Sequence, residues 1–157
     1  DVAIRITRQP APNLIARKLA DARILLCASP DYLARAGTPT TPDALSQHAC
    51  LAYSYWAGGD EWTLQGPGRE ATVHVGGCLR ANNGDVLREA ALAGMGIVLQ
   101  PDFVVGEDIA AGRLVPVLPE WSVPPIGIHA VYASRSHLAP KVRSFIDWLV
   151  EALAPAA

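Results

Sequence analysis

The sequence predicts an α/β fold, in which strands alternate with helices, and three observations support this prediction. Residues 71–75 alternate between apolar and polar side chains, which is typical of a strand. Turn and N-cap residues at 82–84 precede a helical apolar face within residues 86–91. The apolar run 96–99, bounded by Pro101, is typical of a strand covered on both faces. These segments predict a βαβ unit whose helix N-terminus lies beside a strand end, where open α/β sheets bind ligands.

The chain starts directly in strand patterning. Residues 1–6 predict a strand, but no element precedes it in this sequence. Because the first residue is Asp1 rather than Met, we expect the sequence to be a portion or a processed product of a longer chain. Residues 14–28 predict a second strand, with an interruption near Ala20-Asp21.

Two short helices are expected next. Ser29 is a potential N-cap, and Pro30 stands at the first helical position, so a helix is predicted to about Ala36. Thr41-Pro42 repeats this signal and predicts a short helix to about residue 47.

The last third of the chain alternates strands and helices again. Residues 114–118 and 128–133 predict strands, and Pro124-Pro125 predicts a crossing loop. The helix that opens at Pro140 has a continuous apolar stripe, so its members are expected to be core residues. The stripe consists of Val142, Phe145, Ile146, Leu149 and Leu153.

Composition limits the function classes. The net charge of −2 gives this segment no electrostatic reason to bind nucleic acid or an anionic membrane. The sequence has no apolar run of the roughly 18 residues that span a bilayer and no signal-peptide pattern at its start. Its three cysteines, an odd number without a CxxC pair, favour reduced thiols in a cytosolic protein.

The sequence gives no sign of catalysis, of a metal site or of a cofactor. It contains no GxSxG, HExxH, P-loop or dinucleotide-binding motif in the required context. His48 with Cys50 and His74 with Cys78 do not match zinc-ligand spacing. We therefore expect neither a catalytic set nor a metal or cofactor.

The candidate binding residues follow predicted strands. Ser29, Asn82, Asn83 and Gly84 each stand where a strand ends and a helix begins, so they offer donors to an anionic or polar ligand. The same residue types also cap helices without any ligand. Arg5 is the polar member of an apolar strand, which either pairs with a ligand carboxylate or faces solvent.

An ordered set of segments resembles the C-terminal effector-binding domain of LysR-type transcriptional regulators. The likeness covers nearly the whole chain, and the order of the segments is more specific than any one of them. They are DVAIR (1–5), LIARKL (14–19), CASPDYL (27–33), RANNGD (80–85), AGMGI (93–97), GRLVPVL (112–118), HAVY (129–132), SR (134–135) and HLAPKVRSFID (137–147).

The resemblance implies a fold of the type II periplasmic-binding-protein kind, with two Rossmann-like α/β lobes, two crossing strands and a ligand cleft between the lobes. Residues 1–22 and 124–157 would form the remainder of the first lobe, which is incomplete in this sequence, and residues 23–118 the second. The family's winged helix-turn-helix would precede Asp1 and is absent, so DNA would be bound only through that missing domain.

The resemblance also implies a function without catalysis. A small anionic or polar effector would bind in the cleft of a cytoplasmic homodimer or homotetramer and alter how it holds DNA. The positions carried over as ligand contacts are Arg5, Ser29, Asn82, Asn83 and Gly84, with Phe103 as a possible wall. Two alternatives are a periplasmic solute-binding protein of a transport system, which shares the fold, and a small α/β enzyme.

Overall fold

A computed structural model describes residues 2–133 and 139–153 of the chain. Asp1 and the motif residues at 134–135 and 137–138 lie outside the described residues. The chain divides into two compact units, residues 1–22 with 125–157 (unit 1) and residues 23–124 (unit 2).

The described residues form nine strands, four α-helices and one 3-10 helix. The strands are β1 (Ala3–Thr7), β2 (Ile15–Ala28), β3 (Cys50–Tyr53), β4 (Glu61–Gly66), β5 (Arg69–His74), β6 (Arg80–Ala81), β7 (Ile97–Pro101), β8 (Val115–Pro116) and β9 (Val123–Tyr132). The helices are α1 (Pro30–Ala36), α2 (Gly84–Leu92), α3 (Asp102–Ala110) and α4 (Pro140–Ala152), and the 3-10 helix is Pro42–Gln47.

Unit 2 is organised around β7. This strand has hydrogen-bonded neighbours on both sides, β2 antiparallel and β3 parallel, and β6 continues the sheet parallel to β3. Four of its five residues are buried, as expected of a strand covered on both faces. The βαβ unit therefore exists, with α2 between β6 and β7 and with β3 lying between those two strands.

The first strand of that unit differs from the expectation. Residues 71–74 do form a strand, but β5 pairs with β4 in a separate antiparallel hairpin. The chain then passes close to β3, because the Cys50 N–H donates to the Gly76 carbonyl and a Cβ on Gly77 would collide with the Cys50 backbone. Only after this close approach do the two residues of β6 join the sheet. Period-2 patterning identified the strand but not its partner.

The core of unit 2 lies where α2 and α3 pack on the sheet. Its buried members come from β2, β3, β7, both helices and the segment after α3. They are Cys27, Leu51, Leu87, Ala90, Ala91, Val98, Val105 and Leu114. Val86, which was expected on the apolar face of α2, is about half exposed, so the buried face is narrower than expected.

A buried carboxylate joins α2 to α3. Asp108 is fully buried, and both of its oxygens accept hydrogen bonds from the Arg88 guanidinium. Arg113 donates from its Nε to Asp108 Oδ1 at 2.7 Å. Hydrogen bonds from Arg88 hold the pKa of Asp108 below its ordinary value of 3.8, although burial acts in the opposite direction.

Unit 1 contains β1, β9 and the first part of β2, with β9 between the other two strands. Leu19 and Ala130 of the sheet pack against Val142 and Ile146 of α4. The expected break in β2 near Ala20-Asp21 is absent, since the strand runs unbroken from Ile15 to Ala28.

The predicted crossing loop at Pro124-Pro125 is also wrong, because both prolines belong to β9. The pairing of β9 with β1 begins only at Gly127, so the missing N–H groups of the two prolines leave no β1 ladder bond unmade.

The apolar stripe of α4 is only partly buried. Val142 and Ile146 are buried, but Phe145 is 42% exposed and Leu153 39% exposed. Phe145 instead stacks with Trp148, at 6.2 Å between ring centroids, on the outer side of the helix. The expectation of a buried Phe145 is therefore wrong. The apolar residues do recur at helical spacing, but the sheet covers a narrower face of the helix than this spacing suggested.

Shortening a buried and an exposed side chain of α4 should have clearly different effects on the free energy of unfolding. Ile146→Ala should lower the free energy of unfolding by about 2–5 kcal/mol, because this side chain is 2% exposed and leaves a cavity. Phe145→Ala should cost less than about 1 kcal/mol, since surface truncations have small effects. Urea denaturation of both variants checks the assignment, and a larger loss for Phe145→Ala would contradict it.

Asp108→Asn should lower the free energy of unfolding by roughly 3 kcal/mol, because it leaves Arg88 and Arg113 without their shared counter-charge. Since folding lowers the pKa of Asp108, its contribution is complete above pH 3.8, the ordinary pKa, and is lost as the pH falls through the folded pKa. Urea titrations at pH 7 and about pH 3 should show the difference from wild type shrinking in acid. Asp43→Asn, at an exposed position, is the control; an undiminished difference in acid would contradict the ion cluster.

Candidate ligand-binding site

Three parallel strands of unit 2 end at one edge of the sheet. Because β3 runs parallel to both β6 and β7, their carboxyl ends lie on the same side, where α2 and α3 begin. We call this region the carboxyl edge. It consists of Asn82, Asn83, Gly84, Gln100 and Phe103. Open α/β sheets bind small ligands at this kind of edge.

Asn83 is the N-cap of α2. Its Oδ1 accepts hydrogen bonds from the Asp85 N–H at 2.8 Å and from the Val86 N–H at 3.3 Å. Asn82 and Asn83 are both exposed. Asn83 therefore caps α2 in the structure, and this capping uses the oxygen of its side-chain amide.

Gly84 makes room for a neighbouring side chain. A Cβ at this position would lie 2.9 Å from Gln100 Oε1 and 3.9 Å from Val104 Cγ2. Any larger residue would therefore displace the end of the Gln100 side chain. Glycine at the first position of α2 is explained by this close approach to the end of β7.

Gln100 is a functional candidate that the sequence reasoning missed. The residue is 3% exposed, and its side chain has no hydrogen-bond partner among the described residues. Buried side-chain polar groups usually have a hydrogen-bond partner, so this amide calls for an explanation. The available signal was a single amide at the end of the apolar run Ile97–Leu99, directly before Pro101.

Phe103 lies in the first turn of α3 and is 55% exposed, as expected of a wall rather than of a core residue. This turn has no side-chain cap. Beside it, the Arg23 Nε donates to Asp102 Oδ2 at 3.1 Å, so this guanidinium is already paired.

The structure does not bring Ser29 to the carboxyl edge. Because β2 runs antiparallel to β7, its carboxyl end lies at the opposite side of the sheet. Ser29 Oγ accepts the Tyr32 N–H at 3.3 Å as the N-cap of α1 and lies near Gly94, beyond the C-terminal end of α2. The length of α2, about 13 Å, separates this position from Gly84.

Arg5 belongs to unit 1, in β1, with an exposed side chain. Its register partner on β9 is His129, which is buried and whose Nδ1 has no hydrogen-bond partner among the described residues. The four remaining predicted residues, Asn82, Asn83, Gly84 and Phe103, are together at the carboxyl edge.

The described residues contain neither a metal-binding cluster nor a membrane-spanning helix nor a disulfide bond. No group of three histidine, cysteine or acidic side chains there is arranged to hold a metal ion. Likewise, no helix within residues 2–133 and 139–153 is long and apolar enough to cross a membrane. All three cysteines are free thiols, and burial raises the pKa of Cys27 and of Cys50 to about 12.

These pKa values predict selective thiol chemistry. A disulfide reagent such as DTNB at about pH 8 should titrate one thiol in the native chain, the exposed Cys78, because only a thiolate attacks the reagent. All three should react after unfolding in guanidinium chloride. Cys78→Ser should abolish the native reaction; a second fast native thiol would contradict the burial of Cys27 and Cys50.

The sequence model of one protein family, described as LysR substrate binding domain, matches residues 1–154. The chain belongs to this family. The resemblance inferred from the ordered segments is therefore confirmed, and so is the type II periplasmic-binding-protein-like α/β fold that it implied.

Relatives of this LysR substrate-binding domain are transcription regulators. The HTH-type transcriptional regulator CrgA of Neisseria meningitidis is 36% identical over 157 residues, covering 98% of this chain and 51% of the relative. The HTH-type transcriptional regulator DmlR of Escherichia coli is 39% identical over 154 residues, covering 95% of this chain and 48% of the relative. The chain thus spans about half the length of these curated relatives.

Solved structures agree with the family. The CrgA regulatory domain superposes with a TM-score of 0.85 at 35% identity, over 98% of this chain and 75% of that one. The full-length Vibrio cholerae virulence activator AphB gives a TM-score of 0.84 at 34% identity, over 98% of this chain and 52% of that one. These neighbours favour a regulatory domain over a solute-binding protein of a transport system.

Proposed function

We propose that this LysR substrate-binding domain senses a small polar effector for a transcription regulator, and that the effector binds at the carboxyl edge. The observation that carries the proposal is the convergence of Asn82, Asn83, Gly84 and Gln100 at the ends of parallel strands, with the exposed ring of Phe103 beside them. Polar groups that converge beside an exposed apolar wall are typical of small-molecule sites.

The proposed role is binding without catalysis. The side chains of the carboxyl edge are amides and a phenyl ring, which neither ionise near neutral pH nor act as nucleophiles. An amide orients a ligand by donating and accepting hydrogen bonds. This chemistry suits recognition and supplies no general acid or base.

Residues 1–22 and 124–157 are proposed to belong to the first lobe of the effector domain and residues 23–118 to the second. Arg5 is then a first-lobe candidate contact, and Ser29 a helix cap remote from the edge. In the longer protein, a separate N-terminal winged helix-turn-helix would bind DNA.

The proposed mechanism is a population shift. An effector that binds one arrangement of a cytoplasmic homodimer or homotetramer more tightly than another moves the equilibrium by that difference in affinity. The two arrangements hold the DNA-binding domains differently, so transcription responds. The relatives' names, which describe helix-turn-helix transcription regulators, support this role.

The DNA part of the proposal is tested with the full-length protein encoded by the gene. Selection from random double-stranded DNA should recover a site with two half-sites spaced by about 10 base pairs or a multiple, as a dimeric helix-turn-helix protein requires. The 157-residue chain alone, with its net charge of −2, should recover none and serves as the matched control. Failure of the full-length protein to enrich any sequence would contradict the regulator function.

A further inference from the structure

The side-chain amide of Gln100 is buried but not enclosed. It lies on the same face of β7 as Val98, a core residue under α2 and α3, and its Oε1 points toward Gly84. Among the described residues, the one fully enclosed side-chain nitrogen or oxygen without a hydrogen bond is His129 Nδ1. The unpartnered amide of Gln100 therefore keeps an accessible end, and its Oε1 lies beside Gly84 of the carboxyl edge.

At the two helix N-termini beside this amide, side chains of the chain itself already offset the positive end of the helix dipole. Asn83 Oδ1 takes the N–H groups of Asp85 and Val86 at the start of α2. Each helix also carries a carboxylate in its first turn, Asp85 in α2 and Asp102 in α3. Acidic side chains there offset the positive end of the helix dipole. The usual attraction of a helix N-terminus for an anion is thus largely satisfied by the chain itself.

The charges of unit 2 near the edge also disfavour an anion. Asp85 would repel an added carboxylate. Arg23, the neighbouring cation, is paired with Asp102. The neutral amide of Gln100 differs from those of Asn82 and Asn83 at the edge because Gln100 is buried, and it offers one acceptor and two N–H donors.

We propose that Gln100 is a specificity-determining residue that pairs with an uncharged hydrogen-bonding group of the effector, such as a carboxamide or a hydroxyl. This inference rests on the proposed function, because it assigns the chemistry of the ligand at the same edge. Gly84 is a positioning residue, since the absence of a side chain lets the amide reach the edge. A site built to hydrogen-bond a neutral group discriminates strongly against analogues that lack it.

The test uses four probes with one aromatic frame: benzamide, benzyl alcohol, benzoate and toluene. Binding to the ¹⁵N-labelled 157-residue chain is followed by NMR, with the Gln100 side-chain NH₂ signal assigned by its loss in Gln100→Leu. Benzamide and benzyl alcohol should shift this signal saturably together with the Gly84 N–H. Benzoate and toluene should bind about tenfold more weakly or not at all.

Single substitutions test whether benzamide binding depends on Gln100 and Gly84. Gln100→Leu should weaken benzamide binding about tenfold and leave toluene unaffected. Gly84→Ala should preserve the fold, because alanine suits a helix and the displaced atom ends a flexible side chain, but should weaken benzamide binding. Gln47→Leu, an exposed glutamine on the 3-10 helix, is the matched control and should bind all probes as wild type does. Thermal melts of each variant establish that it is folded.

Three results would overturn the inference: tighter binding of benzoate than of benzamide, equal benzamide affinity in wild type and Gln100→Leu, and no binding by either uncharged probe at its solubility limit. Each leaves the DNA selection with the full-length protein unaffected, so failure of this ligand chemistry is distinct from failure of the regulator function. A loss of benzamide binding in folded Gln47→Leu would also contradict the assignment to Gln100.

Discussion

Unit 2 depends on the double hydrogen bonding of β7. This strand is the one that β2 and β3 both flank, and its residues Ile97, Val98 and Leu99 are buried. A strand with ladder partners on both sides and side chains covered on both faces leaves little freedom of register, because a one-residue slip would exchange its two faces. The direction of β7 therefore fixes where α3 starts, and its parallel alignment with β3 and β6 fixes where α2 starts.

The carboxyl edge is a consequence of that alignment. Val98 and Gln100 lie on the same face of β7. Val98 belongs to the core under α2, whereas Gln100, nearer the carboxyl end of the strand, lies beside the first residue of α2. The Asp108 ion cluster joins the same two helices and holds α2 against α3 through Arg88. Core packing and one buried carboxylate thus keep the two helix starts in position without using the side chains that we propose as effector contacts.

Local patterns in the sequence predicted much of the fold. Ser29-Pro30 and Asn83 correctly marked two helix starts, because capping is a property of a few neighbouring residues. Pairing was less accessible, since the strand at residues 71–74 looks the same whether it joins the main sheet or a hairpin. The candidate site shows the same division. Turn chemistry alone predicted Asn82–Gly84 as site residues. To see that Ser29 lies away from them, one must know that β2 is antiparallel to β7, and to find Gln100 one must know which side chain lies beside Gly84.

Amide hydrogen exchange, measured residue by residue on the native 157-residue chain, tests the role of β7 most directly. The amides of Ile97–Leu99 should exchange only through global unfolding, because β7 is bonded on both sides and buried. Amides of the two-stranded β4–β5 hairpin should exchange through smaller openings, with a lower free energy. Exchange of the β7 amides at the same free energy as those of the hairpin, or at a lower one, would contradict the claim that the sheet and its carboxyl edge are built around this strand.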